Sequence, residues 1–528
     1  MSQAAQSGAA LQPIAEAPQA QSVGLIIGAV AVTLLLASLG QTIVSTALPT
    51  IVGELGGLDH LTWVVIAYLL SSTVVAPIYG KLGDLYGRKI VLQAAIVIFL
   101  IGASLSAFAS SMTFLIIART VQGLGGGGLM VVAMTVVADV IPPRQRGKIQ
   151  GIFGAVFGVA TVVGPLLGGV IVEHLNWQWI FLINLPLGIL TLVVISAALK
   201  TNPDRVSHKI DYMGFVLLTT ALSSFVLATS LGGNTFAWLS AQIIGLVVLS
   251  LASVAAFIWV ESRAAEPVLP LKLFRNNTFV ITNAVGFLVG MAMFGSITFL
   301  PLYLQVAKGV TPTGSAIQLI PMMVGLIGAS TLAGFAMSKT GRYKLLPIAS
   351  TAVLVVGLTL LGTMHLGTPD WQIALFMFMV GAGIGPVNSV GVTATQNAVS
   401  RDLVGVATAG NTLFRQIGGS IGVSVFGAIF TSSLASQVGG AMPEGGGGAF
   451  NAAAIKALPD AVRVQVVEGF SAALHPVFLT AAAAAVIACG LAFMLKELPL
   501  ATSLRKEPEA EIDAEERAMA AAAGAPAE

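Results

Sequence analysis

Apolar residues run along this chain in long unbroken stretches, not in alternation and not as one-sided stripes. Fourteen stretches stand between charged or turn-rich breaks, at about 22–47, 61–80, 89–110, 112–137, 148–172, 179–199, 212–232, 237–260, 278–300, 313–337, 344–365, 371–395, 405–432 and 473–495. Most are 20 to 25 residues long, enough at about 1.5 Å rise per residue to cross the hydrocarbon core of a bilayer. None alternates with period two, so the pattern predicts a bundle of membrane-spanning helices and not a barrel. An even number of crossings puts both ends of the chain on one side.

Composition agrees. Of 528 residues, 56% are hydrophobic and 9% charged, whereas soluble domains carry about a quarter charged residues. Twenty Lys and Arg residues fall in the breaks after even-numbered stretches and near the C-terminus, against Lys308, Lys456 and Arg463 on the other side. The positive-inside rule therefore makes both termini cytoplasmic. Basic residues are scattered between spans, which gives no nucleic-acid footprint. The one cysteine, Cys489, forms no internal disulfide. Met1 to Gln21 lacks Lys and Arg, so it reads as a disordered cytoplasmic tail and not as a signal peptide. Residues 496–528 read as an acidic cytoplasmic tail.

A weak repeat divides the spans. Gly80 to Lys89 (GKLGDLYGRK) matches Gly334 to Lys344 (GFAMSKTGRYK), and Asp139 to Gly147 (DVIPPRQRG) matches Asn397 to Gly405 (NAVSRDLVG), at offsets of 254 and 258 residues. Two six-helix halves in the same orientation follow, a parallel repeat of the kind found in major facilitator transporters. The expected organisation is residues 22–199 for the first half, 200–277 for an inserted helix pair with its linkers, and 278–495 for the second half. An extracytoplasmic excursion near 433–472 reads as a flexible loop or, alternatively, a partner site.

Three motifs carry chemistry. After the second stretch, Gly80, Asp84, Gly87, Arg88 and Lys89 combine turn-forming glycines with an acid and a basic pair. Loop charges alone would explain the bases but not the glycine spacing. The fourth stretch holds Arg119, Gln122 and Gly123 followed by Gly125 to Gly128, with an arginine at membrane depth that belongs in a bundle interior or aqueous cavity. The fifth holds Gly158, Gly164, Pro165, Gly168 and Gly169, small residues for close helix packing and a proline that favours a bend.

These motifs, in this order, together with Trp177 to Gly188 (WQWIFLINLPLG) and Thr42 to Pro49 (TIVSTALP), resemble the fourteen-span drug/proton antiporters of the major facilitator superfamily, the EmrB/QacA-like family, from about Val23 to Glu497. The resemblance implies an all-α major facilitator fold with fourteen transmembrane helices. It also implies a proton-coupled exporter of amphiphilic molecules in a bacterial-type inner membrane, surrounded by lipid, working without a cofactor. Asp84 and Arg88 then form a cytoplasmic latch against the start of the thirteenth span near Gly405. Asp139 completes the cluster or, alternatively, only precedes the Pro142-Pro143 turn.

One departure stands out. The family places an aspartate in the first span, where this chain has Gly40, followed by Gln41. No Asp or Glu lies well inside any span, which leaves open a facilitator or substrate-specific metabolite exporter without proton coupling, and more remotely a scaffold that has lost transport. If Arg119 and Arg415 both face the central path, it is positively charged and favours neutral or anionic cargo. Gln41 or Ser45 is expected to accept hydrogen bonds from Arg119. Arg415 is alternatively captured by carbonyls and by neighbours such as Asn411 or Gln416. Met291, Met293, Phe294 and Phe299 offer an adaptable apolar surface. No metal-ligand set, phosphate loop or nucleophile–base constellation is visible, so the chain reads as no enzyme.

Overall fold

The computed structural model describes residues 23–55, 61–199, 211–233, 235–264, 266–438 and 460–500. All fourteen stretches are helical. The first is α1 (Val23–Thr42) and α2 (Val44–Leu55), separated only at Ile43. Next come α3 (Leu61–Tyr86), α4 (Arg88–Ala107), α5 (Met112–Val140) and α6 (Pro143–His174). The sixth stretch is α7 (Trp179–Leu182) with α8 (Asn184–Ala198), and the inserted pair is α9 (Tyr212–Leu231) and α10 (Ala241–Glu261). The remainder are α11 (Asn277–Val306), α12 (Pro312–Gln318) with α13 (Ile320–Thr340), α14 (Leu345–Leu361), α15 (Asp370–Asn397), α16 (Val404–Val438) and α17 (Asp460–Phe493). Thirteen of these spans have the length and hydropathy to cross a membrane, and α14, at 17 residues, is a shorter apolar helix.

Several helices are 28 to 35 residues long, longer than the hydrocarbon core requires, so they tilt or project from it. Side chains fix where some begin. Asp211 accepts from Gly214 N–H at 2.8 Å to start α9, and Asn276 accepts from Phe279 N–H at 3.2 Å to start α11.

In the first half α5 is the hub, packed on α3, α4 and α1, while α1 also meets α6 and α8. In the second half α15 packs on α13 and α14, and α11, α16 and α17 pack on one another. Two main seams join the halves, α6 against α13 and α3 against α16, with α6 also meeting α15 and α5 meeting α16. The inserted pair packs on itself, with α9 touching α3 and α16. α10 exposes Val248, Leu251 and Trp259, a face suited to lipid. Lys81 of α3 reaches Glu266, just beyond α10, at 3.8 Å.

One expectation needs correction. Gly80 and Gly83 make no turn, because α3 continues through them to Tyr86; only Gly87, at φ +87°, turns the chain into α4. Its repeat partner Gly341 ends α13 at φ +71°, the left-handed region where glycine carries no Cβ penalty. Within the expected excursion near 433–472, α16 runs on to Val438 and α17 starts at Asp460. Phe430 and Phe470 pack at 5.1 Å between ring centroids, so these ends are a packed helix pair. Residues 439–459, like both terminal tails, lie outside the described residues.

Candidate functional site

At the end of the bundle where α3 meets α16, Gly80 lies against the backbone of Gly405. A Cβ on Gly80 would sit 2.7 Å from the Gly405 carbonyl oxygen and 2.8 Å from Ala409 Cβ, so this approach admits only glycine. One turn on, the buried Asp84 carboxylate faces the start of α16. Its Oδ1 accepts from Gly405 N–H at 3.0 Å and its Oδ2 from Val406 N–H at 3.1 Å. These are free amides of a helix N-terminus, where the helix dipole also favours an anion. Arg88 joins the group, 3.3 Å from Asp84 and 2.7 Å from Asp139, and also donates to the Thr135 carbonyl. Lys89 stands apart, bonded to the Ser196 carbonyl at 2.7 Å, where it braces α4 against α8.

The second seam, α6 on α13, repeats the backbone geometry. Gly334, the repeat partner of Gly80, lies against Gly147, the partner of Gly405; a Cβ on Gly334 would sit 2.9 Å from Lys148 Cα. Ser338 occupies the register of Asp84, and the chemistry is inverted. Arg144 donates from Nε to the Ser338 carbonyl at 2.8 Å and from Nη2 to the Lys339 carbonyl at 2.9 Å, which caps a helix C-terminus with a cation. Sequence reasoning counted Arg144 only as a topology charge. The repeat that aligned Gly334 with Gly80 was the available signal.

Arg119 in α5 is 1% exposed and is held from several sides. It donates to the carbonyls of Gly40 at 2.9 Å and Val64 at 3.3 Å and to Gln122 Oε1 at 2.8 Å, and its guanidinium lies 4.4 Å from the Tyr68 ring centroid. The partner in α1 is therefore the Gly40 carbonyl and not the Gln41 side chain. Position 40 is also crowded: a Cβ there would meet Phe99 at 3.0 Å, so an aspartate needs that ring to yield. Gln41 instead lines a small cavity between the halves with Tyr68, Ser72, Gly126, Thr412 and Gln416. The glycine run of α5 packs against Tyr68, Tyr79 and Phe99, so most of it serves helix approach.

Arg415 in α16 is half-buried and donates from Nη1 to Asn388 Oδ1 of α15 at 3.1 Å. Neither Asn411 nor Gln416 captures it. In α6, Gly158 faces Ile327 of α13 at 3.0 Å, Gly164 receives the Thr42 side chain of α1, and Gly168 is buried. A Cβ on Gly169 would meet nothing within 4 Å. The side chains of Ser45 and Pro165 lie outside the described part of the structure. Met293 and Phe299 are buried in the core of the second half. Among the described residues no group of three or more His, Cys, Asp or Glu side chains is placed to hold a metal ion.

A multi-pass bundle of two packed halves, with motif residues spent on the seams between them, defines a membrane transporter. Residues 30–423 match the Major Facilitator Superfamily, and the chain belongs to it. It is 41% identical over 408 residues to the multidrug transporter protein MdtP of Bacillus subtilis (strain 168), covering 77% of this chain and 75% of that one. It is 34% identical over 472 residues to multidrug resistance protein 3 of the same organism, covering 87% and 91%. Among solved structures, the proton:xylose symporter XylE bound to 6-bromo-6-deoxy-D-glucose shares the fold with a TM-score of 0.61 at 14% identity, covering 93% of this chain and 98% of that one. The chain is thus a non-enzymatic transporter of small molecules, similar to proteins named for multidrug transport.

Proposed function

We propose that this chain exports neutral or anionic amphiphilic molecules across a bacterial-type inner membrane by alternating access, driven by protons. The observation that carries the reading is the Asp84 carboxylate seated on the Gly405 and Val406 amides and tied through Arg88 to Asp139. On the charge count this face is cytoplasmic, so the seam is the closed inner gate of an outward-directed state. A carboxylate that locks two halves can be neutralised by a proton, which weakens its hold on amides and guanidinium alike. The relatives named for multidrug transport support the cargo class. Gly40, at the position of the family's aspartate, favours one rival, a facilitator or metabolite exporter without proton coupling.

Everted vesicles from cells expressing the chain test this. Energised dye uptake that stops when the proton gradient is collapsed is the expected result. Uptake that persists selects the uncoupled rival, and no uptake across a chemically diverse panel removes transport altogether.

A further inference from the structure

The two arginines inside the spans are held in opposite ways. Arg119 spends its guanidinium on three acceptors and an aromatic face. Among the described residues Arg415 makes a single hydrogen bond, to Asn388, although its fork carries five N–H donors. Among the described residues no carboxylate pairs with it. An uncompensated cation at membrane depth is costly and faces a polar or aqueous path. Arg415 and Asn388 are both half-buried, neither sealed in the core nor turned out to lipid-like exposure.

The surroundings are polar and underused. Asn411 Nδ2, Thr412 Oγ1 and Gln416 Oε1, on the same helix within four residues, are buried without hydrogen-bond partners among the described residues. Thr412 and Gln416 line the small cavity between the halves, whose lining includes neither Arg415 nor Asn388. Gly290 of α11 lies against Arg415: a Cβ there would run into the Arg415 carbonyl and lie 3.1 Å from its Cγ, so α11 and α16 approach closely at this level. The side chain is aimed by Asn388, two residues beyond Pro386 of α15. A held guanidinium with free parallel N–H groups matches a carboxylate or sulfonate, which it binds through two hydrogen bonds at once.

We propose that Arg415, oriented by Asn388, anchors the anionic group of the cargo, and that this chain prefers organic anions to cations of the same apolar body. The inference rests on the exporter reading and adds the residue that selects charge.

The test uses the purified full chain with three probes, pyrenebutanoate, its methyl ester and pyrenebutyl trimethylammonium. Binding is read by fluorescence polarisation, and uptake of the two charged probes is read in energised proteoliposomes. The expected result is tightest binding of pyrenebutanoate in the wild type. In Arg415→Gln that affinity should fall about tenfold or more while the ester is unchanged, the size of a lost charge-assisted hydrogen bond. Arg415→Lys should recover part of it, because the charge returns without the fork. Equal weakening of all three probes in Arg415→Gln makes the residue structural and overturns the proposal, as does a wild-type preference for the cation. Replacing chloride by gluconate checks the position: pyrenebutanoate binding that weakens with chloride in the wild type but not in Arg415→Gln shows competition at one guanidinium and supports the proposal, and the same chloride dependence in both forms overturns it. Pumping of either charged probe with no charge preference leaves the exporter reading standing and this one refuted. Pumping of neither, with no binding of pyrenebutanoate, refutes this proposal, while the exporter reading is judged by the diverse panel.

Discussion

The two seams that join the halves share a backbone geometry and carry opposite chemistry. At α3–α16 a glycine pair, Gly80 and Gly405, lets a carboxylate reach the amides of a helix start. At α6–α13 the related pair, Gly334 and Gly147, lets a guanidinium reach the carbonyls of a helix end. The repeat has kept what sterics demand and let the lock diverge. Aspartate takes up a proton, whereas arginine keeps its charge throughout the accessible pH range. The first seam is therefore suited to switching and the second to holding.

The largest effects should come from the glycines, because both seams depend on them alike. Valine at 80 drives a side chain into the Gly405 carbonyl and Ala409, and valine at 334 drives one into Gly147 and Lys148. Overpacking of this kind costs roughly 1–3 kcal/mol or more. In a Cys489→Ser background, Ala76→Cys reports on the first seam, since Ala76 is buried against Val131 and Ala409, and Ser330→Cys reports on the second, since Ser330 lies against Gly154. Each valine should turn its own reporter from protected to freely labelled and abolish transport. A silent Gly334→Val would show that the second seam is not a true counterpart of the first.

Much of this was legible in the sequence. The fourteen spans were, because a bilayer imposes length and hydropathy on every crossing. The contact of Asp84 with the start of α16 was expected only through the family resemblance of its motif, since spacing alone names no partner for the carboxylate. What stayed hidden shares one cause: the acceptors are backbone carbonyls, which every residue carries. Arg119 was matched to Gln41, among others, but bonds the carbonyls of Gly40 and Val64 along with Gln122. Arg144 found no partner in the sequence because its partners are the carbonyls of Ser338 and Lys339. Gly80 was read as a turn because a glycine that permits close approach and one that reverses the chain are the same letter.

An intermediate effect is expected from Asp84→Asn. The amide keeps one acceptor oxygen for Gly405 or Val406, presents an NH2 group to the other amide, and loses its charge toward Arg88. Hydrogen bonds to charged groups are worth about 1.5–3 kcal/mol, so labelling at Ala76→Cys should rise about tenfold or more while Ser330→Cys stays protected. Transport should fall although the protein reaches the membrane. Opening of both reporters together would mean that the seams move as one rigid gate and that their chemical difference has no separate consequence.

The smallest effect should come from Arg144→Gln. Arg144 is only partly buried, and its bond to the Lys339 carbonyl lies at the surface, where water replaces a lost donor at little cost. The end of α13 does not depend on it, because Gly341 N–H already closes on the Met337 carbonyl at 2.8 Å. What is lost is a cation at a helix C-terminus, worth about 0.3–1 kcal/mol, so labelling at Ser330→Cys should rise only about two- to fivefold and Ala76→Cys should not respond. Arg144→Lys should sit between wild type and Arg144→Gln, since it returns the charge without the two-pronged geometry. If Arg144→Gln opens its seam as widely as Asp84→Asn opens the other, the α6–α13 seam is locked by its side chain and not by its glycine pair, and the division into a switching seam and a holding seam fails.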